Sequence, residues 1–433
     1  MQRKRLIIIS FMLLLTTGCS YSAKLTVPQE PGPQVKQIEP LAAVIRSNPS
    51  NPPIPSNSSN SSNSSNSSIP SNPPIPPIPP TPPTPPTPSR GDEPSVNKAT
   101  LAAIGDVLIH SEVYQDAKQK DGTYNFNGMF EGVQRYLRKP DILVANQETM
   151  IGGKELRLSG YPSFNSPHEV GDALKSAGVD LVTVANNHSL DRGEKVIQSA
   201  LSYWEKLGIP YTGSFKSQED QNQIRALTQN NITFSFLSYS YGTNGIPHPK
   251  GKTFLLNRID VSQIAIDVEQ AKSISDVVVV AMHWGTEYES FPNESQKELA
   301  RKLADLGVHI VIGNHPHVLQ PPAWVTGQNG HKTLVLYSLG NFISAQGGVA
   351  KRVGGMAAID VIKTTVKDRS TIALKHPAFL PTYTTYRKMT QFKVIPMLEA
   401  TNEQLNNSSI QYDQIKKHMR TYMPELIIIG SDK

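Results

Sequence analysis

Between residues 99 and 317 of this 433-residue chain, short apolar runs alternate with polar clusters rich in potential metal ligands. The clusters are Gly105-Asp106, Asn146-Gln147-Glu148, Asn186-Asn187-His188, His283-Trp284-Gly285 and Gly313-Asn314-His315-Pro316-His317. Four of the five directly follow an apolar run of the length and composition of a buried strand. Strand ends converge on one edge of a sheet, so ligands far apart in sequence can meet there.

The text between the clusters reads as strands and helices in alternation. Apolar runs at 99–104, 141–145, 179–185, 232–239, 276–282, 308–312, 333–337 and 356–362 predict strands. Helical spacing predicts helices over 128–137, 168–177, 192–207, 261–272, 294–306 and 402–422; in the third, Val196, Ile197, Ala200, Leu201 and Trp204 share one face. The run Val277-Val278-Val279-Val280-Ala281-Met282 has no polar alternation, which is expected of a strand covered on both faces. The prediction is a layered α/β sandwich over residues 98–433.

The first 97 residues read differently. Arg3, Lys4 and Arg5 precede the apolar Leu6–Leu15 stretch, which is too short to span a bilayer and suits a signal peptide. Leu15-Thr16-Thr17-Gly18-Cys19 resembles a bacterial lipobox, with Thr16 where a leucine is usual, so residues 1–19 predict a lipoprotein signal with Cys19 as the lipidated residue. From Pro28 to Pro94 lie 21 of the 35 prolines, with an Asn-Ser-Ser repeat among them. Such composition lacks the apolar surface to offset ordering entropy, so residues 20–97 predict a disordered Pro/Asn/Ser-rich tether. Its Pro-Pro-Ile and Pro-Pro-Thr repeats favour polyproline II, giving a reach of roughly 60 Å at ~3.1 Å per residue. The expectation is an exported protein anchored to the extracytoplasmic face of the cell membrane.

Several chemistries are excluded or disfavoured. Cys19 is the one cysteine, so no internal disulfide and no thiolate zinc cluster can form. The net charge of +6 is shared with residues 1–97, where seven Lys or Arg face four Asp or Glu, and aromatics do not interleave with basic residues; nucleic acid is not implied. No Gly-x-Ser-x-Gly elbow, P-loop or Gly-x-Gly-x-x-Gly after a strand is present.

What remains is oxygen and imidazole. Gly105-Asp106 alone is common in turns, and Asn146 with Glu148 also suits a helix start. Asn186-Asn187-His188 is more specific, and two histidines flanking Pro316 after a buried strand have little structural purpose. A mixed oxygen and nitrogen set suits one or two divalent ions, Mn, Fe or Zn in preference to Ca or Mg. Two such ions roughly 3.5–4 Å apart can clamp the oxygens of a phosphoryl group.

Ile104-Gly105-Asp106, Ala145-Asn146-Gln147-Glu148-Thr149, Ala185-Asn186-Asn187-His188 with Asp191 and Gly193, His283 to Tyr288, Gly313 to Gln320 and Tyr337 to Phe342, taken in order, resemble the bacterial capsule synthesis protein CapA family. That family is associated with poly-γ-glutamate capsule assembly. The resemblance implies a calcineurin-like metallophosphoesterase fold, a four-layer α-β-β-α sandwich. It also implies that Asp106 and His317 bind one metal, that Asn187, His283 and His315 bind a second, and that Glu148 bridges them. His188 would orient substrate or protonate a leaving group. Asn146, Asn186, Trp284, Ser338, Asn341 and Phe342 are expected along the substrate cleft. Arg352 reads either as an anion-binding residue or as a solvated loop residue.

The chain departs from the larger phosphoesterase pattern at two places: Leu108 replaces a histidine, and Glu148 replaces an aspartate. The expected role is capsule-polymer synthesis, export or attachment with membrane synthase subunits and an anionic polymer as partners. A free-standing phosphoesterase of wall or extracellular substrates and a noncatalytic polymer-binding module are the alternatives.

Overall fold

A computed structural model describes residues 94–430. The expected signal peptide, Cys19 and nearly all of the tether lie outside the described residues.

Two sheets make the domain. In the larger, β1 (Ser95–Val107), β2 (Ile142–Gln147), β3 (Leu181–Thr183) and β4 (Tyr211–Thr212) run parallel in that order. In the smaller, β5 (Arg225–Gln229) and β6 (Ile232–Ser240) form an antiparallel pair, and β6, β7 (Val277–His283) and β8 (Ile310–Asn314) run parallel. A short pair, β9 (Leu319–Gln320) with β12 (Ser338–Leu339), follows. At the smaller sheet's other edge, β11 (Lys332–Leu336) lies parallel to β8 and antiparallel to β10 (Ala323–Thr326). The larger sheet is completed by β13 (Asn341–Ile343) and β14 (Val353–Val366), both beside β1. Beyond them lie β15 (Arg369–Arg387), β16 (Thr390–Pro396) and β17 (Ile427–Ile428).

Side-chain alternation divides the core into three sheets of contact. Odd positions of β7 (Val277, Val279, Ala281) join Leu101, Ala103, Ile142, Val144, Ile310 and Ile312 between the two sheets. Its even positions (Val278, Val280, Met282) face outward onto Ile264, Val268 and Ala271 of one helix and Ala300 and Leu303 of another. On the opposite outer face, Ala102, Ile104, Leu143, Ala145 and Val182 meet Val196, Ile197, Ala200, Leu201 and Trp204 of the helix Gly193–Leu207. The order is therefore helices, sheet, sheet, helices, as expected. A strand buried on both faces has no use for polar alternation, which is why β7 reads as an unbroken apolar run.

The details differ at several places, among them a helix over Ser111–Ala117 that was not expected. The expected helix over 128–137 is two short helices, Asn127–Phe130 and Gln134–Leu137, and the helix expected over 402–422 spans Ser408–Met419. β1 starts at Ser95, ahead of the expected 98 boundary, because its first residues pair with Thr365, Thr364 and Lys363 of β14. The hairpin of β15 and β16 was not legible, since its strands mix polar and apolar residues and depend on cross-strand pairing for their form.

Candidate metal centre

Each ligand cluster sits at the carboxyl end of a parallel strand, and two glycines set the approach. A Cβ on Gly105 would lie 2.0 Å from the Gly340 carbonyl oxygen, and one on Gly313 would lie 2.1 Å from that of Tyr337. Only glycine lets these strands pass so close, and the next residues, Asp106 and Asn314, are thereby brought against each other. Asn314 Nδ2 donates to Asp106 Oδ1 at 2.8 Å, and Asn146 Nδ2 donates to the same oxygen at 2.8 Å. His317 Nδ1 lies 3.1 Å from Asp106 Oδ2.

Glu148 follows β2 and is fully buried. Neither of its carboxylate oxygens has a hydrogen-bond partner. Burial, and next the charge of Asp106, hold its carboxyl well above the ordinary carboxylate range. The imidazole Nε2 atoms of His283 and His317 stand 3.6 and 3.7 Å from its Oε1. One ligand atom each from Glu148, His283 and His315 lie within 4.8 Å of one another, and the same holds for Asp106, Glu148 and His317. Glu148 thus belongs to both groups.

The second group is completed by an amide. Asn187 Oδ1 lies 2.8 Å from His283 Nε2, while Asn187 Nδ2 donates to Asn244 Oδ1 at 3.1 Å, which aims the oxygen inward. Burial and the neighbouring imidazoles push His283 well below its ordinary value and His315 down to about 3. Neutral imidazole is the form that binds a metal. His315 and His317 both adopt positive φ, 99° and 58°, an uncommon conformation for side chains of this size. It turns both rings inward around Pro316, with centroids 5.9 Å apart.

These residues fit a divalent pair. Two buried carboxylates in proximity repel, and an orphaned buried carboxylate costs several kcal/mol unless a cation compensates it (roughly 3–5 by analogy with broken buried pairs). The unpartnered Glu148 oxygens, with the unpartnered Nδ1 of His315, are the atoms such ions would satisfy.

His188 stands beside the centre, almost fully buried. Its Nδ1 lies 2.8 Å from Asp191 Oδ2, and Phe164 meets its ring edge-on at 4.7 Å. Asp191 is itself held by the backbone N–H of Phe164 at 2.8 Å. A carboxylate on Nδ1 assigns the proton to that nitrogen and leaves Nε2 as the exchanging atom.

The other expected cleft residues have different employment. Asn146 and Asn186 act on the scaffold: Asn146 holds Asp106, and Asn186 donates to the Gln147 carbonyl at 3.1 Å while accepting from the His188 backbone at 2.9 Å. Trp284 belongs to the outer core, where its ring stacks on Tyr337 and its Nε1 donates to the Tyr337 carbonyl at 3.0 Å. Ser338 is buried and donates to the Val318 carbonyl. Asn341 ties the 346–351 segment through Gln346 and the Lys351 carbonyl, and Phe342 stacks on Phe130 in the core. The half-buried Arg352 has its guanidinium over the rings of Tyr383 and Tyr386, and its Nε donates to the Thr384 carbonyl. Asn341 Oδ1 is buried and has no hydrogen-bond partner.

Sequence reasoning missed Asn314 as the holder of Asp106 and missed the loop after β6. In that loop Tyr241 lies 4.5 Å from the His315 ring and Asn244 fixes Asn187. Asn314 was visible inside its motif, whereas the 241–258 loop has no periodicity to mark it. A cavity of about 770 Å³ on the far side of that loop is lined by Gln221, Asn257, Gln263 and Asp267. Its polar groups bond one another, as Tyr239 does Asp267 at 2.6 Å, and it holds none of the candidate ligands.

Comparison with known proteins adds a family. Residues 100–346 match the family model described as bacterial capsule synthesis protein PGA_cap. The chain is similar to the PGA biosynthesis protein CapA of Bacillus subtilis (strain 168), 29% identical over 265 residues, 58% of this chain and 64% of that protein. It is also similar to the capsule biosynthesis protein CapA of Bacillus anthracis, 26% identical over 297 residues, 63% of this chain and 69% of that one. Among solved structures, the NAD nucleotidase of Haemophilus influenzae superposes with a TM-score of 0.42 at 12% identity, covering 78% of this chain and 65% of that chain.

Proposed function

Because the chain belongs to the bacterial capsule synthesis protein family PGA_cap, we propose that it acts in capsule-polymer synthesis, export or attachment through a metal-dependent, phosphoesterase-like site. The polymer is proposed to be poly-γ-glutamate, after the family resemblance of the motifs; the chain spans 64% and 69% of the PGA biosynthesis and capsule biosynthesis relatives. Cys19 is the proposed lipid anchor and the Pro-rich segment the proposed tether, which puts the site on the outer side of the membrane. Among the described residues no helix is long and apolar enough to cross a bilayer. Membrane synthase subunits and the anionic polymer are the proposed partners.

One observation carries the reading of the site: Glu148 is wholly buried, unpartnered, and common to both ligand groups. On this reading Asp106, Glu148 and His317 hold one ion and Glu148, Asn187, His283 and His315 hold the other. When bound, such ions supply Lewis-acid stabilisation of charge on a phosphoryl oxygen. Asn146 and Asn314 fix the Asp106 carboxylate, so the donor geometry is preset before substrate arrives. His188, its Nδ1–H held by Asp191, presents Nε2 as the atom that gives a proton to a leaving oxygen when the ring is in its imidazolium form.

The test is to load the purified chain with Mn and supply a chromogenic phosphodiester. Turnover that His188→Ala abolishes while metal content stays constant supports the reading. A chain that takes up no divalent metal overturns it. Deletion of the gene should remove surface polymer; turnover in vitro with surface polymer intact in the deletion strain would instead favour a free-standing phosphoesterase.

A further inference from the structure

The two histidine-bearing loops are stitched together outside the inner ligand groups. Trp284 N donates to the Asn314 carbonyl at 3.1 Å, and Tyr288 N donates to the Pro316 carbonyl at 2.8 Å. The segment after His283 therefore runs alongside the segment after Asn314, and residue 287 is held next to Pro316, between the two histidines that flank it. Gly285 makes the tight passage possible: its φ is 89°, and a Cβ there would lie 2.7 Å from the Gln296 side chain. Tyr288, with φ of 69°, places its ring 6.2 Å from that of His317.

The consequence is a third ligand group. One carboxylate oxygen of Glu287 and one nitrogen each of His315 and His317 lie within 4.8 Å of one another. The two histidines are buried and Glu287 is exposed, so this group opens toward solvent.

We propose that Glu287 is a further metal ligand of this centre, joining His315 and His317 on its solvent side; the proposal rests on the metal-centre reading above. Its chemistry follows from charge. Two divalent ions bring four positive charges, and the inner groups answer with only the carboxylates of Asp106 and Glu148, since imidazole and amide ligands are neutral. An acid on the open side reduces that excess. Being exposed, it can yield its position to an anionic substrate without refolding the site. The ligand class for this face is a divalent cation of the Mn, Fe or Zn type, for which mixed carboxylate and imidazole donors are suited.

The full chain, stripped of metal, is titrated with Mn(II) alone, and bound ion is followed by electron paramagnetic resonance of the free ion. Wild type is compared with Glu287→Gln, His315→Ala and Glu289→Gln; the last removes an equal charge from the same loop two residues away. The expected result is a loss of affinity of at least about tenfold, or loss of one bound ion, in Glu287→Gln, with Glu289→Gln like wild type. Equal melting temperatures of metal-free wild type and Glu287→Gln would show that the fold is intact. If Glu287→Gln binds Mn as Glu289→Gln does while His315→Ala is impaired, Glu287 is not a ligand and only this proposal falls. If wild type itself binds no Mn, the metal-centre reading falls with it.

Discussion

Asn187 Oδ1 lies 2.8 Å from His283 Nε2, although 96 positions separate the two residues and they belong to different sheets. The contact joins the carboxyl end of β3 in one sheet to that of β7 in the other. The candidate centre is therefore built across the seam of the sandwich, and its integrity depends on how the two sheets face each other.

Replacing Glu148 tests the seam most directly. Glu148→Gln should lower metal content sharply, measured by elemental analysis of the purified protein. In metal-free protein the same change should raise stability above pH 7. Burial raises the folded-state pKa of Glu148 above its unfolded value, so its contribution is full below the unfolded value and is lost as pH rises through the folded one. Denaturant titrations of the metal-free wild type should therefore weaken with rising pH, and the variant should flatten that slope. A variant that keeps full metal content refutes the bridging role.

Asp191→Asn should leave the metal in place and damage turnover. An amide presents either a donor or an acceptor to His188 Nδ1, so the tautomer is no longer assigned by a carboxylate. A fall in kcat of about 10²–10⁴-fold is expected with little change in KM. Turnover equal to that of wild type would show that Asp191 serves only the loop.

Gly105→Ala should disturb both stability and metal. The added methyl would meet the Gly340 and Leu339 carbonyl oxygens at 2.0 and 2.7 Å, and these are backbone atoms that cannot rotate away. Overpacking of this kind costs about 1–3 kcal/mol or more. Displacement of the neighbouring Asp106 should also reduce metal content, so calorimetry and metal analysis should shift together.

His309 provides a pH response away from the centre. Its Nδ1 accepts the Val278 backbone N–H at 3.1 Å, and burial, with His331 and Lys272 near it, pushes its pKa down to about 4. Because the folded value lies below the unfolded one near 6.5, stability is present above pH 6.5 and is lost as pH falls toward 4. Urea midpoints measured across that interval should fall, and His309→Gln should lessen the fall. A midpoint independent of pH between 6.5 and 4 would contradict the assignment.

The layered α/β plan and the ligand candidates were legible because both rest on local information. A strand covered on both faces must be apolar throughout, and a ligand at its end must be polar, so the boundary between Met282 and His283 is visible as text. The substrate-facing assignments fared differently. Trp284, Ser338, Asn341 and Arg352 share motifs with ligands or stand near them, yet adjacency in sequence says nothing about which way a side chain points. Successive residues at a strand end point to opposite faces, so His283 turns to the centre and Trp284 to the outer core. The long hairpin of β15 and β16 was hidden for a related reason, since its order arises from partners and not from its own composition.

By itself, the sequence determined which segments would be buried, where they stop, and that oxygen and imidazole donors cluster at those stops, because burial and strand length leave local marks. Only the tertiary structure decided that Glu148 stands in both ligand groups, that Asn314 and Asn146 share Asp106, and that Glu287 reaches the histidines around Pro316. Those relations depend on the alignment of two sheets and on paired loops, and distance across a seam is not encoded in the spacing of residues along a chain.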